Sequence, residues 1–278
     1  GGSAPSATTA VSSAASTTLA SNSGTLVKAG ASDTTGYVFS GWNTAADGSG
    51  SNFAAGLTTY TSTGNRTLYA QWNSTITYNG NSNTGGSAPA AFTVKSATTN
   101  STLAAVGTLT RTNFTFSGWN TKSDGTGTRY APGLTTYQSD GTRTLFAQWT
   151  QIPATLALAS ASDLGSSSTD KITSDNTPDI TLASLISGAT VTLTATPTSG
   201  TAVTCTFTAS STTGTCTFPT LLDGTYSITA VQSYNGGTSA ASTALTNVVI
   251  DATRPTVTIT ARDASSVSIA SGSTTNLK

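Results

Sequence analysis

The sequence predicts a mainly β protein in which two copies of a small β-unit precede a β-sandwich. The heptapeptide RTLYAQW at 66–72 returns as RTLFAQW at 143–149. Beyond residue 150 aromatic residues become sparse, and short runs alternate Thr with Val, Leu or Ile between Gly, Pro and Asp. Alternation with a period of two is typical of half-buried strands, and turn residues at this spacing favour a sandwich.

The first half of the chain is a duplication. YVFSGWNTAADGSG at 37–50 matches FTFSGWNTKSDGTG at 114–127, and the offset of 77 holds through the second Trp of each copy. Upstream, GGSAP at 1–5 matches 85–89 with an offset of 84, so the first copy carries seven extra residues before its Gly-Trp pair. They fall around VKAGASDTTG at 27–36, which has the composition of a surface loop.

The indoles of both copies are predicted to fill the core. In a strand, Leu68, Ala70 and Trp72 share one face, and the second copy repeats this pattern. A unit of roughly 70 residues has a small core, to which one large aromatic side chain contributes a sizeable share. The predicted core residues are Trp42, Trp72, Trp119 and Trp149. The alternative is a sugar-stacking platform, as in carbohydrate-binding modules, which requires solvent-exposed indoles.

Two local signals accompany the first Trp of each copy. The Gly that precedes it predicts a β-bulge or a close approach of backbone. The Asp-Gly pairs that follow, at Asp47 and Asp124, predict hairpin turns. Calcium binding is the alternative role for these two carboxylates, but neither lies in a D-x-D-x-D run.

The segment GYVFSGWNTAADGSGSNFAAGLTTYTSTGNRTLYAQW at 36–72 closely resembles the Listeria–Bacteroides repeat, or internalin B-repeat. The second copy matches over 76–149 and includes an opening strand, ITYNGN, that the first copy lacks. The resemblance implies small β-grasp-like modules, strung along secreted bacterial surface proteins such as adhesins and invasins. It also implies a module without known catalytic residues.

The second half contains alternating strands, for example TVTLTAT at 190–196, GTYSITAV at 224–231 and TVTITA at 256–261. Over about 152–251 it resembles the bacterial Ig-like domains of large adhesins, through the pieces STDKITSDNTPDITL, SGATVTLTA, LLDGTYSITAV and TALTNVVIDATRPTVTIT. The predicted domains are two repeats at 1–73 and 74–150, an Ig-like domain at 151–251, and the start of a further domain or a terminal strand at 252–278.

Two kinds of site are predicted in this half. In some relatives, Asp residues near domain junctions bind calcium, and the candidates here are Asp163, Asp170, Asp175, Asp179 and Asp251. The alternative is that they cap turns in solvated loops. Cys205 and Cys216 are eleven residues apart, which fits two neighbouring strands joined by the ASSTTG turn. We predict a cross-strand disulfide, permitted in an extracellular context, against the alternative of two buried thiols.

Composition argues against several classes of function. The chain contains no His, and all eleven acidic residues are Asp, which excludes Ser-His-Asp catalysis and leaves no paired-carboxylate motif. Five scattered lysines form no Ser-Lys motif. Eleven acids balance eleven bases, which argues against nucleic-acid binding. No apolar run reaches the length of a membrane span. We expect neither an enzyme nor a cofactor, calcium excepted.

The expected function is therefore a stalk or adhesin scaffold on the bacterial cell surface. Its expected partners are other domains of the same surface protein or identical subunits, with a ligand on a host or neighbouring cell as a further partner. The alternative is a self-assembling subunit of a filament, sheath or S-layer, in which a C-terminal strand such as SSVSIAS at 265–271 completes the first repeat of a neighbour. The chain opens on Gly-Gly-Ser without Met, so we expect a processed chain or a part of a longer one.

Overall fold

The computed structural model describes residues 4, 16–22, 26–62, 64–95 and 100–256, together with the backbone at 261–262 and 268–269. Every helix or strand element in these ranges is a β-strand, which confirms the predicted mainly β class. The predicted strand at 256–261 and the segment at 265–271 lie largely outside the described residues. No described element is a helix that could span a membrane.

The two repeats form one seven-stranded sheet. Its strands are β1 (Val38–Asn43), β2 (Asn52–Phe53), β3 (Tyr69–Asn79), β4 (Phe92–Lys95), β5 (Phe114–Asn120), β6 (Arg129–Tyr130) and β7 (Arg143–Gln151). Their order across the sheet is β2-β1-β3-β7-β5-β6, and β4 pairs with β3 outside this series. The Gly-Trp strand pairs antiparallel with the Gln-Trp strand in each repeat, β1 with β3 and β5 with β7.

Strand β3 belongs to both repeats. Its first half, residues 69–73, pairs antiparallel with β1 and closes the first repeat. Its second half pairs parallel with β7, Ile76 opposite Arg143 and Asn79 opposite Phe146. Eleven residues of continuous strand therefore run from one repeat into the next. The opening strand of the second repeat is the extension of the closing strand of the first, and no separate linker lies between them.

The Gly that precedes each first Trp lies at a bulge, as predicted. The pairing register shifts between Phe39 and Gly41 in the first repeat and at the equivalent place in the second. The φ angles of Gly41 and Gly118 are +134° and +128°. A Cβ at Gly118 would lie 2.6 Å from the carbonyl oxygen of Tyr130. A side chain here would be both strained and in collision with backbone, so the neighbouring hairpin arm can approach only a glycine.

The Asp-Gly hairpins are also present, and their carboxylates act within the turns. The Oδ1 atom of Asp47 accepts hydrogen bonds from the amide (3.0 Å) and the hydroxyl (2.7 Å) of Ser49. Asp124 makes the same pair of bonds with Thr126, at 2.9 and 2.8 Å. These bonds lower the pKa of both carboxyl groups because they favour the charged form.

Each repeat encloses a small core around its first Trp. Both cores hold a Leu, a Trp and a Tyr at equivalent positions: Leu19, Trp42 and Tyr60, then Leu103, Trp119 and Tyr137. The second core is larger because β3 and β7 add Ile76, Tyr78 and Leu145 to it. Leu68, the equivalent of Leu145, is only partly buried, since no described strand pairs with its segment in the first repeat.

The second half is a two-sheet sandwich. Its strands are β8 (Ala154–Leu158), β9 (Ile172–Thr173), β10 (Asp179–Ala183), β11 (Thr190–Pro197), β12 (Val203–Thr208), β13 (Thr213–Thr217), β14 (Gly224–Tyr234), β15 (Gly237–Thr238) and β16 (Leu245–Ile250). One sheet has the order β13-β10-β8, and the other β12-β11-β14-β16-β9 with β15 on β14. The two residues of β17 (Ala261–Arg262) and of β18 (Ser268–Ile269) pair antiparallel.

The alternation predicted for the sandwich strands is confirmed. Val191, Leu193 and Ala195 of β11 are fully buried, and so is Ile228 of β14. They pack in one core with residues of the smaller sheet. Of the strand predicted at 256–261, Val257 and Ile259 lie outside the described residues.

Cys205 and Cys216 form a disulfide, as predicted, and lie on the two strands that flank the predicted turn, but these strands are not paired with each other. The two strands are consecutive along the chain, yet β12 belongs to the larger sheet and β13 to the smaller one. The bond therefore crosses the core between the sheets and does not link paired strands. Both cysteines are buried in that core. Sequence spacing could not distinguish a hairpin from a crossing between sheets, because a short turn serves both.

Gly118→Ala should destabilise the fold by about 3 kcal/mol, since the change adds strain to a collision with backbone. Gly133→Ala is the matched control, because its φ is +68° and a Cβ there would meet nothing within 4 Å. The control should cost about 1 kcal/mol. Urea unfolding followed by Trp fluorescence measures both values. Equal costs for the two substitutions would contradict the close approach at Gly118.

Candidate functional site

The first Trp of each repeat is buried and has its indole N–H paired. Trp42 is 9% exposed and Trp119 is 0% exposed. Their Nε1 atoms donate to the carbonyl oxygens of Ala20 (2.7 Å) and Ala104 (2.8 Å). The paired N–H removes the cost of burying a polar atom, so each ring can lie wholly within its core.

The second Trp of each repeat is partly buried at the rim of the core. Phe39 lies between Trp42 and Trp72, with ring centroids 5.1 and 5.8 Å away and both contacts edge-to-face. Phe116 holds the same place in the second repeat. Trp149 also donates to the carbonyl oxygen of Gly80 at 2.9 Å. In each repeat a Phe ring therefore contacts both indoles edge-to-face.

The five predicted calcium ligands do not come together. In the described part of the chain, no three residues of the types His, Cys, Asp and Glu are placed to hold one metal ion. Asp170 and Asp175 accept hydrogen bonds from the amides of Ile172 (3.0 Å) and Thr177 (2.9 Å), as turn residues do. Calcium binding stays a prediction.

The remaining three candidates have different hydrogen-bond partners. Asp179 accepts a hydrogen bond from the hydroxyl of Thr217 on the paired strand β13. Asp251 donates its own amide to the carbonyl oxygen of Thr173. Asp163 is 5% exposed; one carboxylate oxygen accepts a 3.3 Å bond from the amide of Lys171, and the other has no protein partner. Asp163 and Asp179 thus accept hydrogen bonds from different partners, and the bond of Asp251 uses its backbone amide.

Hydrogen bonds explain the other shifted carboxyl groups. Burial raises the pKa of Asp175, but bonds from the hydroxyl of Ser162 and from Thr177 outweigh it and leave the pKa below its usual value. Asp223 has a lowered pKa because the hydroxyl of Thr253 and the amide of Ala252 donate to it. Asp223 thereby fixes the chain as it leaves the sandwich.

The seven-residue insertion of the first repeat contacts the second repeat. The amide of Ala31 donates to the carbonyl oxygen of Asp140 (2.9 Å), and the amide of Thr35 to that of Thr142 (3.0 Å). The amide of Thr142 donates back to Gly36 at 2.7 Å. The expected surface loop is therefore also an interface. We call residues 27–36 the docking loop and residues 139–143, on which it packs, the socket.

An ion-pair network lies at the centre of this interface. The guanidinium of Arg143, whose side chain is 3% exposed, contacts Asp33 of the docking loop at 3.2 Å and also Asp140 of the socket. The hydroxyl of Ser139 donates to the carbonyl oxygen of Gly141 at 2.9 Å and shapes the turn. Two carboxylates, one from each repeat, contact the buried guanidinium. The network therefore joins the two repeats.

A different interface joins the second repeat to the sandwich. Only two residues separate β7 from β8. The side chain of Gln232, fully buried, donates to the carbonyl oxygens of Gln151 (2.8 Å) and Ser184 (3.0 Å). The amide of Ala240 donates to the hydroxyl of Thr115 at 2.7 Å. The β14–β15 hairpin thus lies against the sheet of the second repeat.

The equivalent face of the first repeat is open. It forms a cleft of about 370 Å³. Its lining is largely polar and comprises Ser40, Gly41, Trp42, Asp47, Gly48, Asn52, Phe53, Ala54, Gln71, Trp72, Asn73 and Lys95. The lining has one carboxylate, Asp47, and no His or Cys, so it brings together no pair of acids.

The fold and its interfaces define a modular β protein, in which a tandem pair of repeats is fused to an Ig-like sandwich. The Listeria-Bacteroides repeat domain matches residues 1–71 and 75–148, and the bacterial Ig-like domain matches residues 149–252. The chain belongs to the Listeria-Bacteroides repeat family and continues into a bacterial Ig-like domain. Both domains are non-catalytic structural kinds and are typical of bacterial surface proteins.

Two curated proteins of Evansella cellulosilytica are similar to part of the chain. One, provisionally named a Gly-rich membrane protein, is 38% identical over 122 residues, which are 41% of this chain and 14% of that protein. The other, provisionally named a membrane protein, is 42% identical over 98 residues, which are 34% of this chain and 14% of that protein. The matched segments are thus about one seventh of the length of these relatives.

Sequence reasoning missed three groups of residues. Asn43 and Asn120 follow the first Trp, and the side-chain amide of Asn43 donates to the carbonyl oxygens of Gly48 and Gly50 across the hairpin. Their identical place in the two copies was a usable signal. No sequence signal marked the other two groups. Asp33 lies 110 residues from Arg143, and Gln232 lies 81 residues from its partner Gln151.

Arg143→Ala should destabilise the protein by about 2 kcal/mol, because it removes a buried side chain and both ion pairs. The cost should stay below that of a fully buried pair, since Asp33 and Asp140 keep 36% and 51% of their side chains exposed. Arg66→Ala is the matched control: Arg66 is the exposed equivalent in the first repeat. The control should stay within about 0.5 kcal/mol in urea unfolding. A larger cost at Arg66 than at Arg143 would contradict the assigned network.

Proposed function

We propose that this chain is a non-enzymatic extracellular segment of a bacterial cell-surface protein and acts as a stiff stalk or adhesin scaffold. The observation that carries the proposal is the shared strand β3, which runs through the junction of the two repeats. A scaffold that projects a binding end must resist bending at its junctions. A strand that is hydrogen-bonded on both sides of a junction supplies that resistance.

The other junctions support the same proposal. The docking loop packs on the socket at the first junction, and the buried Gln232 bonds across the second. Asp223 holds Ala252 and Thr253 as the chain leaves the sandwich. Each junction is thus held by polar contacts in addition to the covalent chain, which is the arrangement a projecting array requires.

The roles of the charged residues argue for a scaffold in preference to an enzyme. Asp47 and Asp124 close turns, while Asp33, Asp140 and Arg143 hold an interface. Each of these charged groups already has a structural partner. Of these four carboxylates only Asp47 lines the cleft of the first repeat, and no second acid lines that cleft beside it, as paired-carboxylate catalysis requires.

Small-angle X-ray scattering of the full chain tests the proposal. We expect the curve of a single compact particle, with a Kratky plot that returns to the baseline and dimensions that match the described residues. Arg143→Ala should broaden the distance distribution because it loosens the first junction, whereas Arg66→Ala should leave it unchanged. A Kratky plateau for the unmodified chain would show modules on flexible tethers and would contradict the scaffold role.

A second candidate function is self-assembly, and one observation favours it. Strand β7 begins at Arg143, but β3 begins at Tyr69, so the equivalent residues 66–68 carry the same sequence without being in a strand. An unpaired edge of this kind can accept a strand from a neighbouring subunit. Sedimentation velocity over rising concentration separates the candidates. Reversible oligomers support strand donation, and a chain that stays monomeric and folded at the highest concentration contradicts it.

A further inference from the structure

The turn that receives the docking loop is present in both repeats. SDGTR at 139–143 is matched by STGNR at 62–66, which keeps the Ser, the Gly and the Arg. The hydroxyl of Ser62 donates to the carbonyl oxygen of Gly64 at 2.6 Å, just as Ser139 does to Gly141 at 2.9 Å. Both turns therefore share this Ser–Gly hydrogen bond, although Gly141 has a φ of +144° and Gly64 is not among the residues with positive φ.

The two turns differ in what lies against them. A Cβ on Gly141 would lie 2.3 Å from the hydroxyl oxygen of Thr34, whereas a Cβ on Gly64 would meet nothing within 4 Å. The side chain of Arg143 is buried and contacts two carboxylates, whereas Arg66 is exposed. Among the residues that the structure describes, no loop lies against this turn of the first repeat as the docking loop lies against the socket.

We infer that Ser62, Gly64, Asn65 and Arg66 form a second socket, and that its occupant is a docking loop of the 27–36 type from a repeat upstream of this one. The inference deepens the proposed scaffold function and rests on it. The surface continues an interface that is already present in the chain. A second copy of the chain is a poor donor, because its own docking loop is held by its own socket.

Charge complementarity identifies the part of the loop that matters. In the occupied socket Arg143 has a carboxylate of its own turn, Asp140, in addition to Asp33 from the loop. The second socket carries Thr63 at the position of Asp140. Arg66 must therefore take its carboxylate from the incoming loop, so this socket should depend on the loop Asp more strongly than the first one does.

A side-chain contact between the socket and strand β3 can also be repeated. In the occupied socket the hydroxyl of Thr142 accepts from the amide of Thr75 at 3.1 Å. Asn65 holds the equivalent position, and its side-chain oxygen is an acceptor as well. Asn65, which stands where the second repeat has Thr142, therefore preserves a side-chain acceptor for an amide of an upstream repeat.

A chain with one added repeat tests the inference. Residues 1–84 are placed directly before residue 1 of the full chain, because Gly85 aligns with Gly1 and the spacing of the repeats is kept. The added copy carries Arg66→Lys, so that labelling at this position of the repeat comes only from the original Arg66. Phenylglyoxal labelling, followed by peptide mapping, measures how fast each arginine reacts.

In the unmodified chain Arg66 should react fast and the buried Arg143 slowly. With the added repeat, we expect the rate at the original Arg66 to fall at least tenfold, toward that of Arg143. Asp33→Asn in the added copy should restore the fast reaction. Asp47→Asn in the added copy is the control, and it should leave the slow rate unchanged because Asp47 lies in the distant hairpin.

Two results would overturn the inference: an unchanged rate at Arg66, or a slow rate that Asp33→Asn does not relieve. The second result would assign the protection to strand pairing alone. An added copy that fails to fold, judged by circular dichroism and Trp fluorescence, also counts against it, since the same sequence folds when a repeat follows it. The scattering experiment uses the unmodified chain, so the scaffold function can stand when this inference fails.

Discussion

The parallel pairing of β3 with β7 is the constraint on which the other junction features depend. It joins Ile76–Asn79, the extension of the closing strand of the first repeat, to Arg143–Phe146 of the second. Parallel strands cannot be joined by a tight turn, and here more than sixty residues separate them along the chain. This pairing brings the docking loop to the socket and supplies β-strand residues to the core of the second repeat. Neither repeat can therefore be described as an independent domain.

The three junctions use different chemistry for the same purpose. Between the repeats a shared strand is reinforced by a buried arginine with two carboxylates. Between the second repeat and the sandwich a buried glutamine bonds to backbone on both sides. Where the chain leaves the sandwich, the exposed Asp223 accepts hydrogen bonds from Ala252 and Thr253. The bonds of Gln232 involve no charged side chain and those of Asp223 involve one, which suits a chain with few charges.

The sequence predicted those features that depend on local pattern. The alternation of polar and apolar residues predicted the strands of the sandwich. The Gly-Trp pairs predicted the β-bulges, and the Asp-Gly pairs predicted the hairpin turns. Features that depend on distant contacts were missed. Composition marked residues 27–36 as a loop but could not show that Asp33 reaches Arg143. The eleven-residue spacing of the cysteines predicted the bond between neighbouring strands but could not show that it crosses between two sheets. The division at residue 73 or 74 hid a continuous strand, because repeats are recognised by similarity and strands by hydrogen bonds.

Native-state hydrogen exchange along β3 tests the central claim most directly. If the strand is shared, the amides that pair with β1 and those that pair with β7 should exchange with similar opening free energies, close to that of global unfolding. Arg143→Ala should lower the protection of both halves together. Rapid exchange at 76–79, with full protection retained at 69–73, would show that the repeats open independently and would contradict the account.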